Sequence, residues 1–495
     1  MATSTWDQLT AHVGELQTLA GVHGLLQWDQ QTQMPSKGAA LRAEQNAVMA
    51  RLVHQRLTAP ELGDWLAELA TSEDADQRAA VAHLHREYDR NTRIPADLVD
   101  AMARAEAQGF EAWMAARDAE DIGPFADALT TLIDLSKQKA AAIDSERSAY
   151  DVLLDQFDLG TQTATLTPLF ARLQAGLVEL VQATRDAPPV PALDLSIPVD
   201  VQHHLHERLI AALGYELDAG RLDRAQHPFS IGLGAGDVRI TTHLYEDDVL
   251  HGLSGTVHEA GHAMYEQGLP HGKWKGTGLN AAASYGLHES QSRFWENTIG
   301  ASLPFFRWFS GLLQDEGYSA SADALYRSAN RIQPGLIRIS ADEVTYNLHI
   351  ILRFELEVAL FAGDLTVAEL PAAWNDGMKR LLGTTPKKAT EGVLQDVHWS
   401  GGAFGYFPSY TLGNLYAASF TKQIGEDLPD LWDHVQRGEF GPVLHWLREH
   451  VHQHGSRYLA PEIVKRAVGE RDHVEDLLDH VWSRHGALYG VRRTA

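Results

Sequence analysis

The sequence predicts a mainly α-helical protein with a small β element. Apolar residues recur at helical spacing through the first 185 residues, alanine is abundant there, and runs of β-branched residues are scarce. The best strand candidate is residues 238–245, where β-branched residues combine with partial alternation of apolar and polar side chains. After about residue 280 the pattern returns to helices.

Three helix starts in the N-terminal part are marked by capping or proline residues. Residues 71–74 form a capping sequence, so a helix is expected after Asp74. Pro95 and Pro124 lie near the first turns of two further helices. The apolar stripes of these two helices are Leu98, Met102, Ala105 and Trp113 in one, and Phe125, Leu129, Leu132 and Ile133 in the other. Such stripes indicate packing between helices.

The clearest interruption is the proline-rich stretch at residues 187–191. It either separates domains or forms a long loop inside one domain. We expect one domain over residues 1–495, with an N-terminal helical lobe of about residues 1–185 and a second region of about residues 200–495.

Composition excludes several classes of function. The 495 residues include no cysteine, so disulfides, thiolate metal ligands and a cysteine nucleophile are absent. The formal net charge of −25 disfavours binding to nucleic acid or to an anionic membrane surface. We see neither a secretory signal nor an apolar run long enough for a membrane span, and we expect a cytoplasmic protein.

The motif that indicates a catalytic metal site is HEAGH at residues 258–262. On a helix, His258 and His262 project from one face and can reach one metal ion. Glu259 then lies beside the metal without ligating it, which suits a base that takes a proton from metal-activated water.

A catalytic zinc site usually has three protein ligands and one open position. A second helical segment, residues 284–296, begins about twenty residues after the motif. Glu289 is the first choice for the third ligand, and His288, Glu296 and Glu266 compete with it. The glycine-rich loop between the motif and this second segment either has a function or is a simple surface loop.

Ordered signatures along the chain, this motif among them, resemble the carboxypeptidase Taq family of metallocarboxypeptidases. They are WDQQTQMP at 28–35, HPF at 227–229, DVRIT at 237–241, HEAGH at 258–262, HESQ at 288–291, IRISAD at 337–342 and GVLQDVHW at 392–399. The resemblance runs from about residue 20 to the C-terminal helices.

This resemblance implies a two-lobed, mostly helical body with a deep groove, similar to neurolysin and angiotensin-converting enzyme. It implies that His258, His262 and Glu289 bind one zinc ion, with cobalt possible, and that Glu259 is the catalytic base. The implied activity is release of single residues from peptide C-termini, with broad specificity and poor release of proline. The implied assembly is a homodimer.

The tetrahedral intermediate of peptide hydrolysis needs a hydrogen-bond donor in addition to the metal. The candidates are His227, His398, Tyr406 and Tyr410. The pair His398 and Tyr410 resembles the donors of angiotensin-converting-enzyme-like peptidases. The alternative for each residue is a buried, hydrogen-bonded aromatic side chain.

A carboxypeptidase must also bind a terminal carboxylate, for which a guanidinium fork is the best-matched group. Arg338 is the first candidate and Arg239 the second, although Arg239 can instead pair with Asp237. Tyr406 is a further substrate-binding candidate. Arg293, four residues after Glu289, can orient that carboxylate.

Zinc-bound histidines usually donate their second N–H to a carboxylate or carbonyl. Asp237, Asp342 and Asp396 are plausible partners. The cluster of His203, His204 and His206 lies on a polar helix without a further partner at ligand spacing, so we expect no second metal site there.

Two other functions compete with the carboxypeptidase. An oligopeptidase that cuts inside short peptides shares the His-Glu-x-x-His helix. A catalytically silent peptide-binding protein is the alternative outside enzymes, although the intact residues His258, Glu259, His262 and Glu289 argue against it.

Overall fold

The computed structural model describes residues 4–493. The expected absence of a secretory signal rests partly on Met1–Thr3, which lie outside the described residues. The described chain is mainly helical with one small sheet, which confirms the predicted fold class. None of its helices is long and apolar enough to cross a membrane.

The helices before the sheet are α1 (Thr5–Thr32), α2 (Ala39–Leu57), α3 (Pro60–Leu69), α4 (Ala75–Thr92), α5 (Ala96–Ala119), α6 (Gly123–Ile143), α7 (Ala149–Leu154), α8 (Thr163–Thr184) and α9 (Val199–Leu213). The strands are β1 (Leu222–Arg224), β2 (Ser230–Gly234) and β3 (Asp237–Thr242). The later helices are α10 (Val249–Gly268), α11 (Tyr285–Arg293), α12 (Leu303–Asp315), α13 (Ala322–Ala329), α14 (Glu343–Ala362), α15 (Leu370–Leu382), α16 (Pro408–Asp427), α17 (Leu431–Arg437), α18 (Gly441–His450), α19 (Ala460–Val468), α20 (His473–Val481) and α21 (Ala487–Tyr489).

The three predicted helix starts are confirmed. Helix α4 begins after Asp74, whose carboxylate accepts hydrogen bonds from the backbone N–H groups of Asp76 and Gln77. Helix α5 begins directly after Pro95, and α6 begins at Gly123. The predicted stripe of α6 is fully buried, whereas in α5 only Ala105 of the predicted stripe is buried and the other three residues are half-buried.

The sheet supports the helix that carries the metal motif. Strand β3 lies in the centre, parallel to β1 and antiparallel to β2, with a bulge between Gly232 and Gly234. The predicted strand at residues 238–245 is therefore present but ends earlier, because Arg224, the last residue of β1, pairs with Thr242. Helix α10 packs against β3 and β2.

The chain divides into two compact units, each built from three segments. The first comprises the described residues of Met1–Thr92, Pro191–Ala329 and Tyr416–Arg471, and contains the sheet and α10. The second comprises the described residues of Arg93–Val190, Asn330–Leu415 and Asp472–Ala495. Each unit takes segments from both sides of the proline-rich stretch. The predicted lobes, the single domain and the deep groove stay predictions.

Each unit has its own core. In the first, residues of α1, α3 and α4 and the residue before α3 form one apolar cluster, namely Leu9, Val13, Ala59, Leu62, Leu66, Val81 and Leu84. In the second, α14 is buried along most of its length and packs against α8 and α15, while α5 pairs with α6.

Candidate metal centre

Helix α10 brings the two motif histidines together. Asp248 caps its N-terminus by accepting a hydrogen bond from the backbone N–H of His251. Leu253 and Val257 are buried. His258 and His262 follow one turn apart, and their ring centroids are 4.8 Å from each other.

Helix α11 supplies the third side chain. Ser284 caps this helix by accepting a hydrogen bond from the backbone N–H of Leu287. The buried Glu289 places Oε2 3.3 Å from His262 Nε2 and 3.8 Å from His258 Nε2. One ligating atom from each of these three residues lies within 4.8 Å of the others.

A glycine allows this close approach of α10 and α11. A Cβ atom on Gly261 would lie 2.7 Å from the backbone oxygen of Gln291 and 2.7 Å from Ser292 Cα. Both are backbone atoms, so a side chain at this position requires the two helices to move apart. The glycine of HEAGH is therefore part of what holds Glu289 against the histidines.

Glu296 also lies beside the histidines, but it contacts His258 Nδ1 and does not face the Nε2 atoms as Glu289 does. Its Oε2 accepts a hydrogen bond from His258 Nδ1 at 2.8 Å, and its Oε1 accepts one from Ser254 Oγ at 2.5 Å. The residue sits on a π-helix, Phe294–Gly300, that continues α11. A histidine that donates Nδ1–H to a carboxylate keeps Nε2 available for a metal.

For His258, the expected carboxylate partners are therefore wrong, because Glu296 takes this place and each of the three is engaged elsewhere. Asp237 pairs with Arg239 through both carboxylate oxygens. Asp342 caps α14 by accepting hydrogen bonds from the backbone of residues 344 and 345. Asp396 binds two buried arginines of the second unit, described below.

Arg293 orients Glu289, as its i, i+4 spacing predicts, and it also contacts Glu296. Its Nε donates to Glu289 Oε1 at 2.8 Å, and its Nη1 donates to Glu296 Oε2 at 3.1 Å. Burial by itself raises the pKa of both glutamates, but Arg293 and His258 more than offset it and hold both pKa values well below the ordinary range.

The charges of the centre fit a cation. Burial by itself lowers the pKa of His258, but Glu289 and Glu296 outweigh it and raise this pKa to about 9. Burial, with His288 nearby, lowers the pKa of His262 to about 3. Two ionised carboxylates therefore stabilise a positive charge at this centre. In addition, two imidazole nitrogens and one carboxylate oxygen are a donor set typical of catalytic zinc.

Glu259 is buried beside these residues. Burial raises its pKa to about 7, and the neighbouring charge of His258 lowers it less than burial raises it. A carboxyl group that titrates near neutrality can both accept and donate a proton in one reaction cycle.

The other two competitors for the third ligand interact with each other. His288 Nε2 lies 3.0 Å from Glu266 Oε1, and the His288 ring stacks on His262 at a centroid distance of 4.4 Å. Of the discounted histidines, His206 is buried and hydrogen-bonded to Thr256.

Two predicted residues lie near the sheet of the first unit. Arg239 pairs with Asp237 and places its guanidinium 4.3 Å from the centroid of the Trp28 ring. His227 is exposed in the connection between β1 and β2.

The second unit brings the remaining predicted residues into one cluster. The His398 ring lies 5.5 Å from that of Tyr406, and the Tyr406 ring lies 5.1 Å from that of Tyr410. The Arg338 guanidinium lies 5.2 Å from the Tyr410 ring centroid. Burial, with Arg338 as the next cause, lowers the pKa of His398 to about 4, so its imidazole is neutral.

Arg353 belongs to this cluster and was not anticipated. It is fully buried, and its guanidinium binds Asp396, which also accepts a hydrogen bond from Arg338 Nε at 2.9 Å. The available signal was an arginine directly after the apolar residues 350–352 and before Phe354.

Comparisons with known proteins agree with this arrangement. A family model described as carboxypeptidase Taq (M32) metallopeptidase matches residues 8–485. Thermostable carboxypeptidase 1 of Thermus thermophilus is 42% identical, with 95% of this chain and 96% of that protein covered. Carboxypeptidase 1 of Bacillus subtilis is 38% identical, with 94% and 95% covered.

Solved structures have the same fold. The M32 carboxypeptidase from Deinococcus radiodurans R1 gives a TM-score of 0.95 at 37% identity, with 98% of this chain and all of that chain covered. Metallocarboxypeptidase 1 of Trypanosoma cruzi gives a TM-score of 0.94 at 31% identity, with 98% and 100% covered. The residues matched by the family model include the whole metal centre.

Proposed function

The chain belongs to the carboxypeptidase Taq (M32) metallopeptidase family of metal-dependent carboxypeptidases, and from this premise we propose that it releases single amino acids from peptide C-termini with broad specificity and poor release of proline. The observation that carries the proposal is the convergence of His258, His262 and Glu289, with Glu259 buried beside them. One zinc ion per chain is the proposed cofactor, and cobalt is the proposed substitute.

The two imidazole Nε2 atoms and Glu289 Oε2 would hold the ion. Glu296 would fix the orientation of His258, and Arg293 would fix that of Glu289. When bound, a divalent ion supplies Lewis-acid chemistry, which polarises the scissile carbonyl and makes water more acidic.

Glu259 is the proposed base. Its carboxylate accepts a proton from the attacking water and then donates it to the nitrogen of the departing amino acid. A pKa of about 7 supports both steps, because neither protonation state is strongly disfavoured near neutral pH.

The remaining proposed roles concern residues that bind substrate. His398 and Tyr410 are the proposed donors to the oxyanion, and His227 and Tyr406 are the competing candidates. Arg338 is the proposed partner of the substrate carboxylate and Arg239 the second candidate. Asp396 supports this assignment for Arg338, because its carboxylate fixes the plane of the guanidinium.

A peptide with a free C-terminus and its C-terminally amidated form test the activity. A mass-spectrometric time course of the metal-loaded protein should give successive single-residue losses from the free peptide and leave the amidated peptide intact. A chelator should stop the reaction. Internal cleavage of both peptides would support an oligopeptidase, and no cleavage of either would support a silent peptide-binding protein.

The family resemblance also supports a homodimer, and the cysteine-free composition supports a cytoplasmic location. Light scattering of the purified protein tests the first, because a mass of one chain instead of two would contradict it. Cell fractionation tests the second.

A further inference from the structure

A cavity of about 270 Å³ lies within the second unit, remote in sequence from the metal motif. The end of α8, the segment at residues 331–334, the end of α15 and Tyr489 line it. The described residues that line it all belong to the second unit.

Two arginines line this cavity without a partner of opposite charge. Among the described residues, neither Arg185 nor Arg331 forms an ion pair, and the buried Nε atom of Arg331 has no hydrogen-bond partner. No neighbouring carboxylate of the described chain neutralises either guanidinium group, so both positive charges remain available to an anion in the cavity. Unpaired arginines are also unexpected in a chain with a net charge of −25.

The other described residues that line the cavity indicate which class of ligand fits it. Val181, Val190 and Leu382 present apolar surface, and no described lining residue is an aspartate or glutamate. The two guanidinium groups match a carboxylate. The apolar surface matches an apolar body, and no carboxylate is present to pair with an ammonium group.

We propose that this cavity binds a small monocarboxylate that has an apolar body and no ammonium group. Its carboxylate accepts hydrogen bonds from the guanidinium groups of Arg331 and Arg185. The apolar body lies against Val181, Val190 and Leu382. This site is independent of the metal centre and of the proposed reaction.

Titration calorimetry with 4-methylpentanoate tests the proposal on the metal-loaded full chain. The acid should bind, and its uncharged amide, 4-methylpentanamide, should bind at least tenfold more weakly. Leucine, which adds an ammonium group to the same carbon skeleton, should also bind at least tenfold more weakly. Because carboxylates can also ligate a catalytic metal, the titration is repeated after chelation, and the affinity for the acid should stay within twofold.

Variants locate the binding. Arg331→Gln should weaken binding of 4-methylpentanoate at least tenfold, and Arg185→Gln, at an exposed side chain, should weaken it in the same direction without a folding risk. Arg104→Gln is the matched control, because it removes one exposed arginine of the same unit that does not line the cavity. Its affinity should equal that of the wild type.

Several results would overturn the proposal. One is the absence of binding by the metal-loaded protein. Another is binding that disappears on chelation and is unchanged by Arg185→Gln and Arg331→Gln, because it would then belong to the metal centre. Equal binding of the amide, of leucine or of inorganic phosphate would contradict the proposed ligand class.

Discussion

His258 and Glu296 form a hydrogen bond of 2.8 Å between Nδ1 and Oε2, while Nε2 of the same ring faces Glu289. The bond fixes the rotation of the imidazole and leaves the second nitrogen for a ligand role. Ser254 and Arg293 hold Glu296 in turn. His258 and Glu289 are therefore supported by hydrogen bonds within one unit, whereas the buried Nδ1 of His262 has no hydrogen-bond partner among the described residues.

Replacing Glu296 should weaken metal binding. Glu296→Ala removes the acceptor of His258 Nδ1 and one partner of Arg293, and we expect an affinity about 10- to 100-fold lower. Competition with a chromophoric chelator measures this change. Ser254→Ala, which leaves Glu296 in contact with His258, should have a much smaller effect. An unchanged affinity in Glu296→Ala would contradict the support role.

Gly261→Ala should separate α10 from α11. The added methyl group meets backbone atoms at 2.7 Å, and we expect a loss of about 1–3 kcal/mol in the free energy of unfolding, with weaker metal binding. Gly255→Ala on the same helix is the control, because its nearest neighbour lies at 3.9 Å and alanine favours helix by about 1 kcal/mol. Equal unfolding midpoints for the two variants would refute the close-contact argument.

Asp396→Asn should destabilise the second unit. It leaves the buried guanidinium groups of Arg338 and Arg353 without their carboxylate, and breaking a buried ion pair costs about 3–5 kcal/mol. Denaturant unfolding, followed by circular dichroism, should show a clearly lower midpoint. Asp364→Asn, at an exposed position, should leave the midpoint unchanged. A midpoint for Asp396→Asn equal to that of Asp364→Asn would show that the pairing contributes little.

Acid should destabilise the folded chain through its buried histidines. Burial lowers the pKa of His206 and of His452 to about 3, from an ordinary value of about 6.5. Between these values the unfolded chain binds protons that the folded chain does not. The free energy of unfolding therefore falls as the pH falls below about 6.5, by about 1.4 kcal/mol per pH unit for each residue.

Thermal melts between pH 8 and pH 5, with chelator present, measure this dependence. No contribution from these two residues is expected above pH 6.5. His452→Gln should flatten the curve below that pH, because the variant has one fewer group that binds a proton on unfolding. Parallel curves for the wild type and the variant would contradict the assignment.

The sequence predicts those parts of the centre that depend on local geometry. The spacing of His258 and His262 places both side chains on the same face of any helix. Two helix starts outside the centre, the cap at Asp74 and the glycine–proline start of α6, also depend only on neighbouring residues. The third ligand was open from spacing alone, and the family resemblance favoured Glu289. The spacing of Glu289, Arg293 and Glu296 at i, i+4 and i+7 also places them on one helix face.

The remaining parts depend on tertiary contacts that no spacing encodes. Which carboxylate touches which nitrogen of His258 depends on the π-helix Phe294–Gly300 and on the approach that Gly261 allows. Arg353 and Asp396 lie 43 residues apart in the chain. Strand β3 ends at Thr242, where its pairing with the neighbouring strand β1 also ends, although β-forming residues follow it.

The most direct test of the account is the activity of Glu259→Gln measured together with its metal content. We expect about one divalent ion per chain and release of C-terminal residues about 10²- to 10⁴-fold slower than in the wild type. Glu246→Gln, at an exposed position before the same helix, should be as active as the wild type. Full-rate release by the metal-loaded Glu259→Gln variant would contradict the assignment of Glu259 as the base.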